Sequence, residues 1–171
     1  YPWTDEDSRA RVIAEYRRLY PDYTPSDVFF AATTAGRSWR GAIEELEARA
    51  RQGAPTWAYE LDWYDRHGDA ARLRAFHTLD SPLVFNNPRQ PCARTGGSDD
   101  APRMADAMSD ALLALARHGN PNHKGLPHWD SYSLARRQTM LFDTNTRQAD
   151  DPRGAERRLY AQVPFIQRGT F

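Results

Sequence analysis

Five histidines, one cysteine and one lysine hold most of the reactive chemistry available to this 171-residue chain. His77 stands in Phe76-His77-Thr78-Leu79-Asp80, after a polar stretch and ahead of the apolar run Leu83-Val84-Phe85. An imidazole changes charge near neutral pH, so it suits general acid–base work. Ligands of open α/β sheets gather at the carboxyl ends of strands, where such a loop would lie. Position alone leaves two readings open for His77, a partly buried structural residue or a proton-transfer group. His118, His123 and His128 are spaced five apart, but Pro121, Gly125 and Pro127 break the stretch between them. No Cys or carboxylate cluster completes a ligand set there, so no metal site is expected. His67, in Arg66-His67-Gly68-Asp69, reads as a turn residue.

A nucleophile is harder to find. Gly36-Arg37-Ser38-Trp39-Arg40-Gly41 is one residue longer than G-x-S-x-G and has no strand before it, so Ser38 is expected to cap a helix. Cys92 lies in a proline-flanked loop, and nothing near it in the sequence would activate a thiolate. Lys124 is the lone lysine against 22 arginines, which argues against lysine chemistry. Neither a P-loop nor a dinucleotide glycine motif is present, and no cofactor is expected.

The elements that would position these groups read as three helices, a strand, a long loop, a helix, a strand and a last helix. Thr4 is expected to cap the first helix, which carries Val12, Ile13, Tyr16, Leu19 and Tyr20 and ends at Pro21. A second helix follows Thr24-Pro25-Ser26-Asp27 and takes Val28, Phe29 and Phe30 towards a core. Trp39, Ile43, Leu46 and Ala50 mark a third, stopped by Gly53 and Pro55. Trp57, Tyr59, Leu61 and Trp63 then alternate with polar or small residues, the period of a strand. After the loop rich in Pro, Gly, Asn and Ser at 86–100, Met104, Ala107, Met108, Ala111, Leu112 and Leu115 form one helical stripe capped by Ser98 or Asp99 and closed by Gly119. Thr139–Asp143 is the second strand, and 152–162 the last helix. Two strands joined by a long crossover imply a parallel or mixed α/β sheet with packed helices. Two strands are too few to cover their aromatic surface, so the sheet reads as cut short, with an unpaired edge open to self-association.

Composition excludes several classes. Twenty-three basic and 23 acidic residues leave no net charge, which does not suit a nucleic-acid binder. No run reaches the roughly 20 apolar residues of a membrane span. One cysteine permits no internal disulfide; it is compatible with a bacterial cytoplasm and also with secretion, so localisation stays open. Tyr1–Glu6 carries no signal-peptide pattern.

Arg74-Ala75-Phe76-His77-Thr78-Leu79-Asp80-Ser81-Pro82-Leu83-Val84-Phe85 resembles the catalytic-histidine segment of type-B carboxylesterases, the p-nitrobenzyl esterase and cholinesterase group. That segment reads G-A-x-H-x-x-[DE]-[LI]-P-[FY]-V-F. Leu115–Asn122 is similar to the family's F-A-R-x-G-[DN]-P-N, Leu126–Tyr132 to its L-P-x-W-P-x-Y, and Thr139–Asp143 to its closing strand. Order and spacing agree from about residue 27 to about residue 145. Two departures stand out: Arg74 replaces a frequent glycine, and Asp130 replaces the proline after Trp129.

The resemblance implies an α/β-hydrolase fold and a Ser–Glu/Asp–His ester hydrolase, in which residues 1–171 form a single C-terminal part, as a proteolytic product, an engineered piece or a short gene. His77 is then the catalytic histidine, serving a serine and a carboxylate carried on an N-terminal part that these residues lack. The implied partners are a small ester and that missing part. Asp80 is a nearby carboxylate that the resemblance makes structural. Phe76, Leu79, Phe29 and Phe30 are candidates for an apolar substrate pocket, with core packing the competing role of each. The competing function is a non-catalytic, cholinesterase-like binding domain, since relatives that lost the nucleophile serve in adhesion.

Overall fold

The computed structural model describes residues 6–163, in two compact units, one running up to Ala54 and resuming at Pro152, the other Pro55–Asp151. Thr4, the expected first cap, lies outside the described residues.

In the first unit, α1 (Glu6–Leu19) opens with Glu6 and Asp7 and closes with Arg17 and Arg18, charges that match the helix dipole at both ends. Tyr20 and Pro21 end it. α2 (Pro25–Thr34) starts on a capping box: Thr24 Oγ1 accepts from the Asp27 backbone N–H, and the Asp27 carboxylate accepts from the Thr24 N–H. Pro25 occupies the first turn, where its missing N–H costs nothing.

α2 does not stop before α3 (Arg40–Arg51). A π-helical turn, Ala35–Trp39, carries the backbone from one into the other. This corrects the reading of Ser38 as a cap: with no helix start there, no free N–H group waits for its hydroxyl. The pattern also misplaced α2's aromatic pair. Val28 and Ala32 are buried, whereas Phe29 and Phe30 are 46% and 67% exposed and meet edge-on. α3 buries no residue completely, despite its apolar spacing.

α7 (Gly154–Tyr160) completes this core, in which Leu159, Tyr160 and Val163 pack with Val12, Tyr16, Val28, Ala32 and Ala35. At its centre is an ion cluster. Glu156, 1% exposed, accepts from two of the Arg153 guanidinium nitrogens (Nε 2.8 Å, Nη2 2.5 Å), from the Tyr20 hydroxyl at 2.7 Å and from the Tyr16 hydroxyl. The Arg153 guanidinium also lies over the Trp39 ring, 4.5 Å from its centroid.

In the second unit, β1 (Ala58–Leu61) pairs in parallel with β2 (Gln138–Phe142), Tyr59 opposite Met140. β3 (Arg147–Asp150) pairs antiparallel with β2, giving the order β1-β2-β3 and making the sheet mixed. The sequence reading missed β3, whose Arg147-Gln148-Ala149-Asp150 has no apolar face; only its backbone ladder makes it a strand. Asp62 and Trp63 both donate their N–H to Phe142 O, and β1 leaves the sheet at that double contact. The stretch read as polar loop contains a short α4 (Gly68–Leu73), and Leu83 and Val84 of the apolar run belong to α5 (Asp80–Val84), with Phe85 just past its end.

α6 (Asp100–His118) buries Ala101, Met104, Ala105, Met108 and Ala111 against Trp63, Leu79, Leu83, Trp129, Met140 and Phe142. Its stripe is only half used, because Leu112 and Leu115 are exposed. Gly119 ends it at φ 68°, a left-handed turn that glycine adopts without strain.

Candidate functional site

The residues between β1 and α5 fix where His77 sits. His77 is exposed, on the turn between α4 and α5. Two non-glycine residues beside it are left-handed, Arg74 at φ 54° and Thr78 at φ 76°. Such backbone costs on the order of 1–3 kcal/mol and persists only where the surroundings hold it. Arg74 is also where the resembling family often has glycine, the residue that takes this conformation freely.

Three contacts supply the hold. Leu79, 2% exposed, is packed in the core between Trp63 and α6, and Phe76 packs half-buried against the same cluster. Leu79 N–H bonds back to Phe76 O at 3.1 Å, closing the turn. On β1, the Tyr59 hydroxyl donates to Asp80 Oδ2 at 3.0 Å, which ties the first turn of α5 to the strand. Burial pushes the Tyr59 hydroxyl up to about 12, with the Asp80 charge adding to it, so it remains a donor at any ordinary pH. Asp80 thus holds the turn through Tyr59, and among the described residues neither ring nitrogen of His77 has a hydrogen-bond partner.

The other histidines are engaged differently. His123 Nε2 lies 3.1 Å from Ala107 O, and His128 Nε2 lies 3.0 Å from Asp130 Oδ1. His118 is exposed in the last turn of α6, at the negative end of the helix dipole. Cys92 is exposed in the loop before α6.

His67 belongs to an arrangement that its local sequence did not disclose. The Asp65 side chain, 3% exposed, faces four donors. His67 N–H and its ring Nδ1 reach Oδ1 at 3.0 and 2.9 Å, and Gly97 and Ser98 N–H reach Oδ2 at 3.0 and 3.1 Å. Burial alone would raise this carboxyl; the His67 ring and the three backbone N–H groups hold it down, at about 2. An ionised carboxylate only accepts, so Nδ1 carries the hydrogen. Asp65 and His67 thereby reproduce the carboxylate–imidazole half of a catalytic triad, but no serine hydroxyl is bonded to Nε2 among the described residues. The pair lines an open cavity of about 700 Å³ with Arg94 and Leu73.

The cage leaves no room for a side chain at Gly96. A Cβ there would lie 2.0 Å from Asp65 Oδ2 and 2.5 Å from Asp65 Cβ, and Gly96 is at φ 81°. Asp65 cannot swing aside without losing four hydrogen bonds. Gly96→Ala is therefore expected to destabilise the protein by about 3 kcal/mol or more, lowering its melting temperature by about 6–12 °C or more in a thermal scan.

Of the remaining pocket candidates, Phe29 lines an apolar groove between α1 and α2 in the first unit, and Phe30 stands exposed next to it. The turn brings Phe76, His77 and Leu79 together. Downstream, Asn122 clamps the Trp129 backbone in both directions, donating to its carbonyl at 2.8 Å and accepting its N–H at 2.7 Å. Asp130, which stands where a proline is usual, binds Gln148 and Arg136 instead.

Residues 23–160 match the model of the carboxylesterase family. The chain is similar to carboxylesterase 1C of Rattus norvegicus, 28% identical over 140 residues that make up 81% of this chain and 24% of that protein. It superposes on a carboxylesterase of Geobacillus stearothermophilus with a TM-score of 0.74 and 28% identity, covering 88% of this chain and 31% of that one. A thermophilic pNB esterase gives 0.68 at 24% identity, over 91% of this chain and 33% of the other. The chain thus spans about a quarter of the curated relative and about a third of each solved structure.

Proposed function

The chain belongs to the carboxylesterase family and has part of an α/β-hydrolase fold, and from that premise we propose that it supplies the acid–base histidine of a serine ester hydrolase. His77 Nε2 takes the proton of a serine Oγ as that oxygen attacks an ester carbonyl. It returns the proton to the departing alkoxide, which leaves as the alcohol. In the second half-reaction it takes a proton from water as the water oxygen attacks the acyl carbon, then gives that proton to the serine Oγ as the acyl–oxygen bond breaks and the acid leaves. The serine and the carboxylate that holds Nδ1–H are supplied by polypeptide outside these 171 residues.

One observation carries this reading. His77 presents an imidazole whose two nitrogens are both uncommitted among the described residues, on a turn pinned by Leu79 in the core and by Asp80 on Tyr59. A triad histidine needs both nitrogens, one for the serine and one for the carboxylate.

The test uses a p-nitrophenyl ester and a fluorophosphonate that labels activated serines. The 171-residue chain alone is expected to show neither turnover above background nor labelling. The same chain joined to a segment bearing G-x-S-x-G is expected to show both. Turnover by the chain alone that survives His77→Ala would overturn the assignment.

A further inference from the structure

Between α1 and α2 lies a groove of about 680 Å³, inside the size range of small-molecule sites. Val28 and Ala32 form its buried floor, and Ile13, Tyr23 and Phe29 its walls, each of the three more than a third exposed. Apolar side chains left this open around a concavity gain by covering themselves with an apolar ligand.

The rim is charged, with one sign. Arg9 and Arg17 line the groove on the same stripe of α1 as Ile13, four residues to either side of it. They stand about 12 Å apart along the helix. Neither has a carboxylate partner among the described residues, in contrast to Arg18 on Glu15, Arg51 on Glu47 and Arg153 on Glu156. A guanidinium is always charged, and its planar fork matches a carboxylate.

We propose that this groove binds a carboxylic acid with an unbranched alkyl tail, the tail over Val28 and Ala32 and the carboxylate on Arg9 or Arg17. The inference goes beyond the ester-hydrolase reading and stands without it. Ester cleavage releases acids of this class, which would make the groove a place for product to linger outside the chemistry. Binding is read here without turnover, so either idea can fail while the other stands.

Calorimetric titration with sodium decanoate, kept below its micelle concentration, tests this against 1-decanol and acetate. Decanoate is expected to bind saturably, one per chain, and at least about tenfold more tightly than 1-decanol, the ratio one charge-assisted pair supports. Acetate, without a tail, is expected not to bind. The double variant Arg9→Gln/Arg17→Gln should bring decanoate down to the level of 1-decanol, whereas Arg11→Gln, whose guanidinium bonds to Gln162, should leave it unchanged. Both arginines lie on an exposed helix face, and circular dichroism checks that the variants fold. Absence of saturable decanoate binding would overturn the proposal. So would equal affinity for decanoate and 1-decanol, which would mark a merely apolar surface, or decanoate binding unaffected by the double variant.

Discussion

In an enzyme that joins this chain to a segment bearing G-x-S-x-G, replacing His77 with alanine is expected to lower kcat for a p-nitrophenyl ester by about 10⁴-fold or more. KM should change little, because the imidazole moves protons and does not grip the ester. Fluorophosphonate labelling should fall in parallel, since that reagent also needs the serine proton removed. His77→Gln keeps volume and a hydrogen-bond donor but cannot shuttle a proton, so it should be as inactive as alanine. The controls are His118→Ala and His128→Ala, both exposed and outside the α4–α5 segment, which should stay within about threefold of the parent. A fall of less than tenfold for His77→Ala would remove this residue from the chemistry. Tyr59→Phe provides a graded companion. It releases Asp80 and lets the turn shift, and displacement of a reacting group by 1 Å can cost about a hundredfold.

Much of this fold was legible in the residues, and what escaped did so for physical reasons. The start of α2 near Thr24, the close of α6 at Gly119 and the buried Met104, Met108 and Ala111 of its stripe are local signals, set by neighbours within a turn or two, and they stand where the sequence put them, whereas Leu112 and Leu115 of the same stripe do not. The parallel pairing of β1 with β2 followed from two apolar strands with a long helical crossover between them. β3 carries no such signal, because a polar strand announces itself only through a partner's backbone. Phe29 and Phe30 mislead for the converse reason: an apolar side chain does not dictate its own burial, and these two stay 46% and 67% exposed. The π-helical turn hid the continuity of α2 and α3. The cage around Asp65 joins residues more than 30 positions apart, and no period or motif encodes that closure. The turn holding His77 lies between these cases. The resemblance singles out its histidine, while the hydroxyl that steadies the turn comes from Tyr59, 21 residues from Asp80.

The same logic makes Glu156 the most consequential structural residue of the first unit. In sequence, Arg153 and Glu156 look like an ordinary surface pair three apart on a helix, worth a few tenths of a kcal/mol. Folding buries the pair and adds two tyrosine hydroxyls, Tyr16 from α1 and Tyr20 just past its end, some 140 residues away. Truncating one partner of a buried pair strands the other without water, a cost of about 3–5 kcal/mol. Glu156→Ala is expected to destabilise the first unit by that amount, read as lost amide-exchange protection in α1, α2 and α7. Arg153→Ala should cost about as much, because it leaves the carboxylate alone beside the tyrosines. A double replacement by apolar residues of similar size should recover much of the loss, whereas a surface pair would show no such coupling. The pH dependence has a definite sign. Burial opposes ionisation of Glu156, but Arg153 and the two hydroxyls outweigh it and hold the carboxyl below its ordinary value of 4.5. Its contribution is therefore complete above the unfolded value and is lost as the pH falls through the lower, folded one. Acid should loosen this unit in the parent, and that part of the acid sensitivity should vanish in Glu156→Gln. A Glu156→Ala protein that melts and exchanges like the parent would show that the cluster contributes nothing to stability.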